Sequence, residues 1–170
     1  MDRFYWLVEG AIAGCSLPGG SPSSGVRDHG PGLSDGRLAA VEADLSWLRR
    51  QGMGAVLSLT EEPLSAEALQ QHQFEDLHLP VPDMAAPSPD QFRAALDFID
   101  RSRSHEQGVV VHCLMGQGRT GAILAAYLIR GGAEVQAAVE HLRVICPGAL
   151  SSPPQERALE AFSARRDWVL

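Results

Sequence analysis

The residues best able to do chemistry lie together in residues 109–121, Val-Val-Val-His-Cys-Leu-Met-Gly-Gln-Gly-Arg-Thr-Gly. The apolar run 109–111 reads as a strand buried on both faces. It leads through His112 to Cys113, and a helix is expected over 120–130 after a loop containing Gly116 and Gly118. In open α/β sheets, ligands bind just beyond the carboxyl ends of the strands. There the backbone N–H groups of Leu114, Met115, Gly116, Gln117 and Gly118 can converge on one point, and the helix N-terminus adds partial positive charge. Glycine permits the backbone conformations that such a cradle needs. Arg119 can fold back and grip two oxygens of a tetrahedral dianion. The expected result is a phosphate site with a sulfur at its floor.

The same field should favour the thiolate of Cys113. A free thiol titrates near ~8.5, and helix N-termini or cationic neighbours lower this to about 3.5–7.5. Attack on phosphorus would give a phosphocysteine intermediate and split one hard step into two. The N–H ring and Arg119 would stabilise the charge that develops on the equatorial oxygens. Composition restricts the cation to arginine: the 14 basic side chains are all arginine, and the chain has no lysine and no asparagine. This excludes Schiff-base lysine chemistry, a nucleotide loop ending in Gly-Lys-Ser/Thr and a kinase-type strand lysine. A GC-rich genome is a sufficient reason for the bias.

His-Cys-x5-Arg-Thr-Gly resembles the signature of the cysteine-dependent protein tyrosine phosphatase superfamily. Ser58-Leu59-Thr60-Glu61, Leu79-Pro80-Val81-Pro82-Asp83, Pro87-Ser88-Pro89-Asp90-Gln91 and Cys146-Pro147-Gly148 are similar to segments of its small atypical dual-specificity phosphatases. The likeness covers residues 6–162, nearly the whole chain. It implies Cys113 as nucleophile and Arg119 as phosphate clamp. It implies Thr120 as a hydroxyl bonded to the thiolate and His112 as a residue that orients the loop. It implies Asp83 as general acid, with Asp90 as the rival carboxylate; Asp90 already has a structural reason to sit in a capped first helical turn. Gln155 matches a glutamine that places the hydrolytic water in some relatives, and an ordinary surface position is the other reading. Two departures stand out. Relatives usually carry arginine where this chain has Cys146, and Pro-Gly-Arg near the first strand where it has Glu9-Gly10-Ala11.

Several elements must position these residues. Residues 4–8 read as a strand with 11–13 as its possible partner. In 16–36, fourteen of twenty-one residues are Gly, Pro or Ser, which reads as a mobile loop that looks like an insertion relative to the family. A helix is expected over 37–51, with Leu38, Val41, Leu45 and Leu48 on one face. Residues 55–59 and 74–79 read as strands and 65–71 as a short helix. Ser88-Pro89-Asp90-Gln91 predicts a helix start, running to about 105 with Phe92, Leu96 and Ile99 inward. Two more helices are expected over 134–145 and 155–167. Strands alternating with helices indicate an α/β fold: one domain, 1–170, with a central, mainly parallel sheet flanked by helices.

The length of 170 residues fits one domain, and 45% hydrophobic with 21% charged residues fits a soluble globular chain. A net charge of −7 argues against nucleic acid and acidic membranes as partners. No apolar run is long enough to span a bilayer. Ile12-Ala13-Gly14-Cys15 looks like a lipoprotein box but lacks the basic start and long apolar stretch of a signal. Cys15, Cys113 and Cys146 are too few and scattered for a disulfide framework, so a reducing cytoplasm is expected. Cys146 and Cys15 read as inert thiols, or as resolving partners for an oxidised Cys113. His72, His78, His105 and His141 show no ligand spacing with the cysteines, so neither metal nor cofactor is expected. The loop's neutral Leu114, Met115 and Gln117 favour a phosphorylated protein or peptide, phosphotyrosine first and phosphoserine or phosphothreonine second, over a phosphoinositide or RNA 5′-phosphate. A monomer is expected, and a phosphate-binding module without turnover is the reading from another class.

Overall fold

The computed structural model describes residues 1, 3–20 and 35–165. Among them, β1 (Phe4–Val8), β2 (Ile12–Cys15), β3 (Met53–Ser58), β4 (Glu75–His78) and β5 (Gly108–His112) form one sheet in the order β1-β2-β5-β3-β4. The β1–β2 hairpin is antiparallel; β2–β5, β5–β3 and β3–β4 are parallel. The sheet is therefore mainly parallel, as expected from the alternation of elements.

β5 lies at the centre, between β2 and β3, and all five of its residues are buried. Its side chains alternate between two cores. Val109 and Val111 face α3 (Pro89–Ser104), α4 (Gly118–Arg130), α5 (Val135–Ile145) and α6 (Pro153–Ser163), while Val110 faces α1 (Asp35–Arg50) and α2 (Ala66–Gln71). Full burial of one valine stabilises by about 1.5–3 kcal/mol, so the strand that ends at the reactive loop is also among the most firmly held.

α3 begins as its sequence predicts. Ser88 Oγ accepts from Gln91 N at 3.2 Å, Gln91 Oε1 accepts from Ser88 N at 2.9 Å, and Pro89 holds the first turn. Phe92, Leu96 and Ile99 are buried on its inner face.

Some boundaries differ from expectation. α1 starts at Asp35 rather than 37, β3 at Met53 rather than 55, α4 at Gly118 rather than 120, and α6 runs Pro153–Ser163. Pro153 suits a first helical turn, because its missing N–H would have had no partner there. The expected mobile loop over 16–36 is corrected at its start. Ser16 N donates to Arg3 O at 3.0 Å, Leu17 N to Leu114 O at 3.2 Å, and Gly19 N to Asp44 Oδ2 at 2.8 Å. Leu17 also packs on the α1-side core, so backbone bonds and burial fix residues 16–20. The rest of that loop, residues 21–34, lies outside the described residues. The helix expected to reach 167 ends instead at Ser163, with Ala164 as its C-cap and residue 165 beyond it; residues 166 and 167 lie outside the described residues.

Candidate active site

Cys113 follows β5 directly, and Arg119 is the second residue of α4. Both line one pocket of about 100 Å³, together with Asp83, Met84, Met115, Gln117, Gly118, Ser151, Ser152 and Gln155. Leu114 and Gly116 contribute no side chain to it. The side chain of Leu114 is exposed, and the carbonyls of both residues bond to the β1–β2 side of the loop. A larger, apolar cavity of about 190 Å³ between α3 and α6, walled by Phe92 and Phe162, holds no nucleophile. Chemistry rather than size marks the smaller pocket as the site.

The loop closes tightly. Gly116 has φ +70°, and a Cβ there would lie 2.5 Å from Cys15 O, so only glycine fits both the conformation and the space. The N-terminus of α4 carries no side-chain cap: Gln117 occupies the cap position and instead donates to Pro147 O at 2.7 Å. Its first N–H groups are therefore available to an anion.

Arg119 is only 4% exposed. Its Nη1 donates to Val81 O at 2.8 Å and Leu59 O at 3.5 Å, and its Nη2 donates to Asp83 Oδ1 at 3.0 Å. The guanidinium is thus anchored by two backbone carbonyls, and its outer edge holds Asp83. Asp83 is 63% exposed, so this ion pair is screened on one side. The Asp83 segment is itself tied down. Ala85 N donates to Pro82 O at 3.0 Å across a turn in which Met84 has φ +61°. A non-glycine residue in that region costs about 1–3 kcal/mol and persists only where its surroundings hold it. Here Ser152 Oγ donates to Met84 O at 3.0 Å, and Gln155 Nε2 donates to Ala85 O at 3.0 Å.

Gln155 is 2% exposed, which corrects the surface alternative. Its side chain lies against Gly118, and its Oε1 has no hydrogen-bond partner. The Thr120 hydroxyl is also buried without a partner. His112 is fully buried, and its Nε2 is hydrogen-bonded to Ser58 Oγ at 2.7 Å. Burial pushes the His112 imidazole down to about 4, so it is neutral at pH 7. Asp90, the rival carboxylate, sits in the first turn of α3 and does not line the pocket.

Cys15 and Cys146 are buried free thiols, and burial pushes both up in pKa. Cys146 Sγ lies 3.7 Å from Gly116 O, beneath the loop. Sequence reasoning missed Met84, Ser151 and Ser152 as pocket residues. It also missed Arg3 and Tyr5, which reach the loop from β1: Arg3 Nη1 donates to Met115 O and Tyr5 Oη to Gly116 O, each at 2.7 Å. No local sequence pattern marks them, because each contact spans more than 100 residues of chain.

Residues 32–133 match the family model described as a polymorphic toxin system DSP-PTPase phosphatase. The chain belongs to the dual-specificity phosphatase group of the protein tyrosine phosphatase superfamily. Over 125 residues it is 34% identical to phosphatidylglycerophosphate phosphatase PTPMT2 of Arabidopsis thaliana, covering 71% of this chain and 55% of that protein. Over 139 residues it is 33% identical to human dual specificity protein phosphatase 12, covering 79% and 40%. The chain thus spans about half the length of these curated relatives. The crystal structure of Tk-PTP in the active form superposes with a TM-score of 0.69 at 30% identity, covering 73% of this chain and 86% of that one. Among the described residues of this dual-specificity phosphatase, no helix is long and apolar enough to cross a membrane.

Proposed function

We propose that the protein hydrolyses phosphomonoesters through a phosphocysteine intermediate on Cys113, with a phosphorylated protein or peptide as substrate. One observation carries this reading: Cys113 and Arg119 line the same pocket, at a helix N-terminus that no side chain caps.

The phosphate occupies the cradle formed by loop N–H groups, and Arg119 releases Asp83 to take two of its oxygens. The thiolate of Cys113 attacks phosphorus in line. Asp83, exposed to solvent and freed from Arg119, takes up a proton; the S–P bond then forms as the ester P–O bond breaks, and Asp83 gives that proton to the departing oxygen. Water then attacks phosphorus, the S–P bond breaks, and Asp83 takes the water's proton. Gln155 Oε1 orients that water, the Thr120 hydroxyl stabilises the departing sulfur, and neutral His112, held by Ser58, fixes the base of the loop.

The pocket's charge supports a substrate with one phosphomonoester. Among the described residues that line it, Arg119 is the single cation, and Asp83 offsets it. One phosphate is provided for, and among these residues a second would meet no cationic partner. This favours phosphotyrosine first, then phosphoserine or phosphothreonine. A second reading, a monophosphorylated lipid, draws on the PTPMT2 likeness and on the exposed Met84, Leu114 and Met115 around the site. A panel of phosphotyrosine and phosphothreonine peptides, phosphatidylglycerophosphate in mixed micelles, a phosphoinositide and an RNA 5′-phosphate separates these readings. The phosphotyrosine peptide should have the highest kcat/KM; a higher value for the glycerolipid would move the substrate to lipid.

A further inference from the structure

The chemistry above needs the loop's N–H groups to face inward, and three contacts from outside the loop impose that. A trans peptide unit is planar, so its N–H and C=O point in opposite directions. Leu114 O accepts from Leu17 N at 3.2 Å. Met115 O accepts from Arg3 Nη1, and Gly116 O accepts from Tyr5 Oη, each at 2.7 Å. Three successive carbonyls are thus turned toward the N-terminal hairpin. The N–H groups sharing those peptide planes, on Met115, Gly116 and Gln117, are turned the other way, into the loop.

The hairpin is shaped for this contact. Tyr5 pairs with Gly14 across β1 and β2, and a Cβ on Gly14 would lie 2.4 Å from Tyr5 Cζ. The missing side chain lets the ring cross β2 and reach the loop. Arg3, two residues earlier, projects from the same face of the strand. Burial pushes the Tyr5 phenol far above its ordinary value, so it remains an O–H donor.

We propose that Tyr5 and Arg3 are positioning residues that hold the phosphate loop in its anion-binding form, which makes the N-terminal hairpin part of the catalytic apparatus. The proposal rests on the phosphomonoesterase reading and assigns the preorganisation of its oxyanion cradle to two named side chains.

The test uses Tyr5→Phe, which keeps the ring over Gly14 and removes only the hydroxyl, together with Arg3→Ala and Arg3→Lys. The readouts are kcat and KM on p-nitrophenyl phosphate, the Ki of orthovanadate as a transition-state mimic, and Tm. Tyr5→Phe should lower kcat about tenfold, the rate equivalent of one net hydrogen bond. The vanadate Ki should rise by the same factor while KM changes little, because the lost interaction acts on the transition state. Arg3→Lys should recover most of what Arg3→Ala loses. Wild-type kcat and vanadate Ki in Tyr5→Phe and Arg3→Ala, whatever their Tm, would overturn the proposal. A wild-type chain with neither turnover nor vanadate affinity would overturn the phosphatase reading itself, and this assignment with it.

Discussion

The N-termini of α3 and α4 are built in opposite ways. At α3 the chain satisfies its own N–H groups: Ser88 and Gln91 bond each other's backbone, Pro89 removes one donor, and Gln91 Nε2 donates to Pro80 O at 2.8 Å. Asp90 adds a negative charge to that first turn, where the helix dipole favours it. At α4 none of these devices is present. Gln117 makes no cap bond, the first turn holds no acidic residue, and Arg119 with the unpartnered Thr120 hydroxyl follows. A helix end that the chain completes itself stabilises the fold; one left incomplete is available to an anion. In this molecule the two ends are joined by the Asp83 segment, which precedes α3 and ion-pairs with Arg119 of α4.

The largest expected effect comes from cutting that link. Asp83→Ala should lower kcat by about 10²–10⁴-fold through loss of the general acid. Inorganic phosphate should inhibit the variant at least as well as wild type, since Arg119 no longer has a competing carboxylate. An unchanged kcat would remove Asp83 from the chemistry and reopen the role of Asp90.

A smaller effect should appear in the pH dependence of stability, at the strand feeding α4. His112 is neutral when folded, with its pKa pushed down to about 4, against an ordinary value of 6.5. Between those values the unfolded chain binds the extra proton. Stability from this site is therefore complete above pH 6.5 and declines as pH falls toward 4, by about 3 kcal/mol in all. Urea unfolding of wild type and His112→Gln at pH 7 and pH 4.5 checks this. Wild type should lose more stability than the variant, and equal losses would contradict the assignment.

The smallest effect sharpens the contrast at the closed end. Ser88→Ala should cost about 1 kcal/mol of stability and leave kcat/KM within about twofold of wild type. A fall in kcat comparable to that of Asp83→Ala would mean that the α3 cap is also part of the site.

Much of this was legible in the sequence where the signal is local. Cys113 and Arg119 belong to one strand-loop-helix unit, so their meeting follows from a few consecutive residues. The Ser88-Pro89-x-Gln91 cap and the three valines of β5 are similarly self-contained. Asp83 and Gln155 were reached by resemblance alone, and the structure places both in the pocket. The approach of Gln155 depends on the tie between α6 and the Met84 turn, which no periodicity encodes. Arg3 and Tyr5 were not legible. Their contacts depend on the register of the hairpin and on the room left by Gly14, which exist only once β2 has paired with β5. The start of the Gly/Pro/Ser stretch was misread for the same reason: its composition suggests a free loop, but its partners, Arg3, Asp44 and Leu114, are remote in sequence.

The central claim is that the open end of α4 serves a covalent phosphoryl transfer at Cys113. Acid quenching during turnover of p-nitrophenyl phosphate, followed by peptide mass spectrometry, tests it most directly. A phosphoryl group on the Cys113 peptide, absent from Cys113→Ser together with all turnover, is the expected result. Turnover that survives Cys113→Ser, or a phosphoryl group carried by another residue, would contradict it.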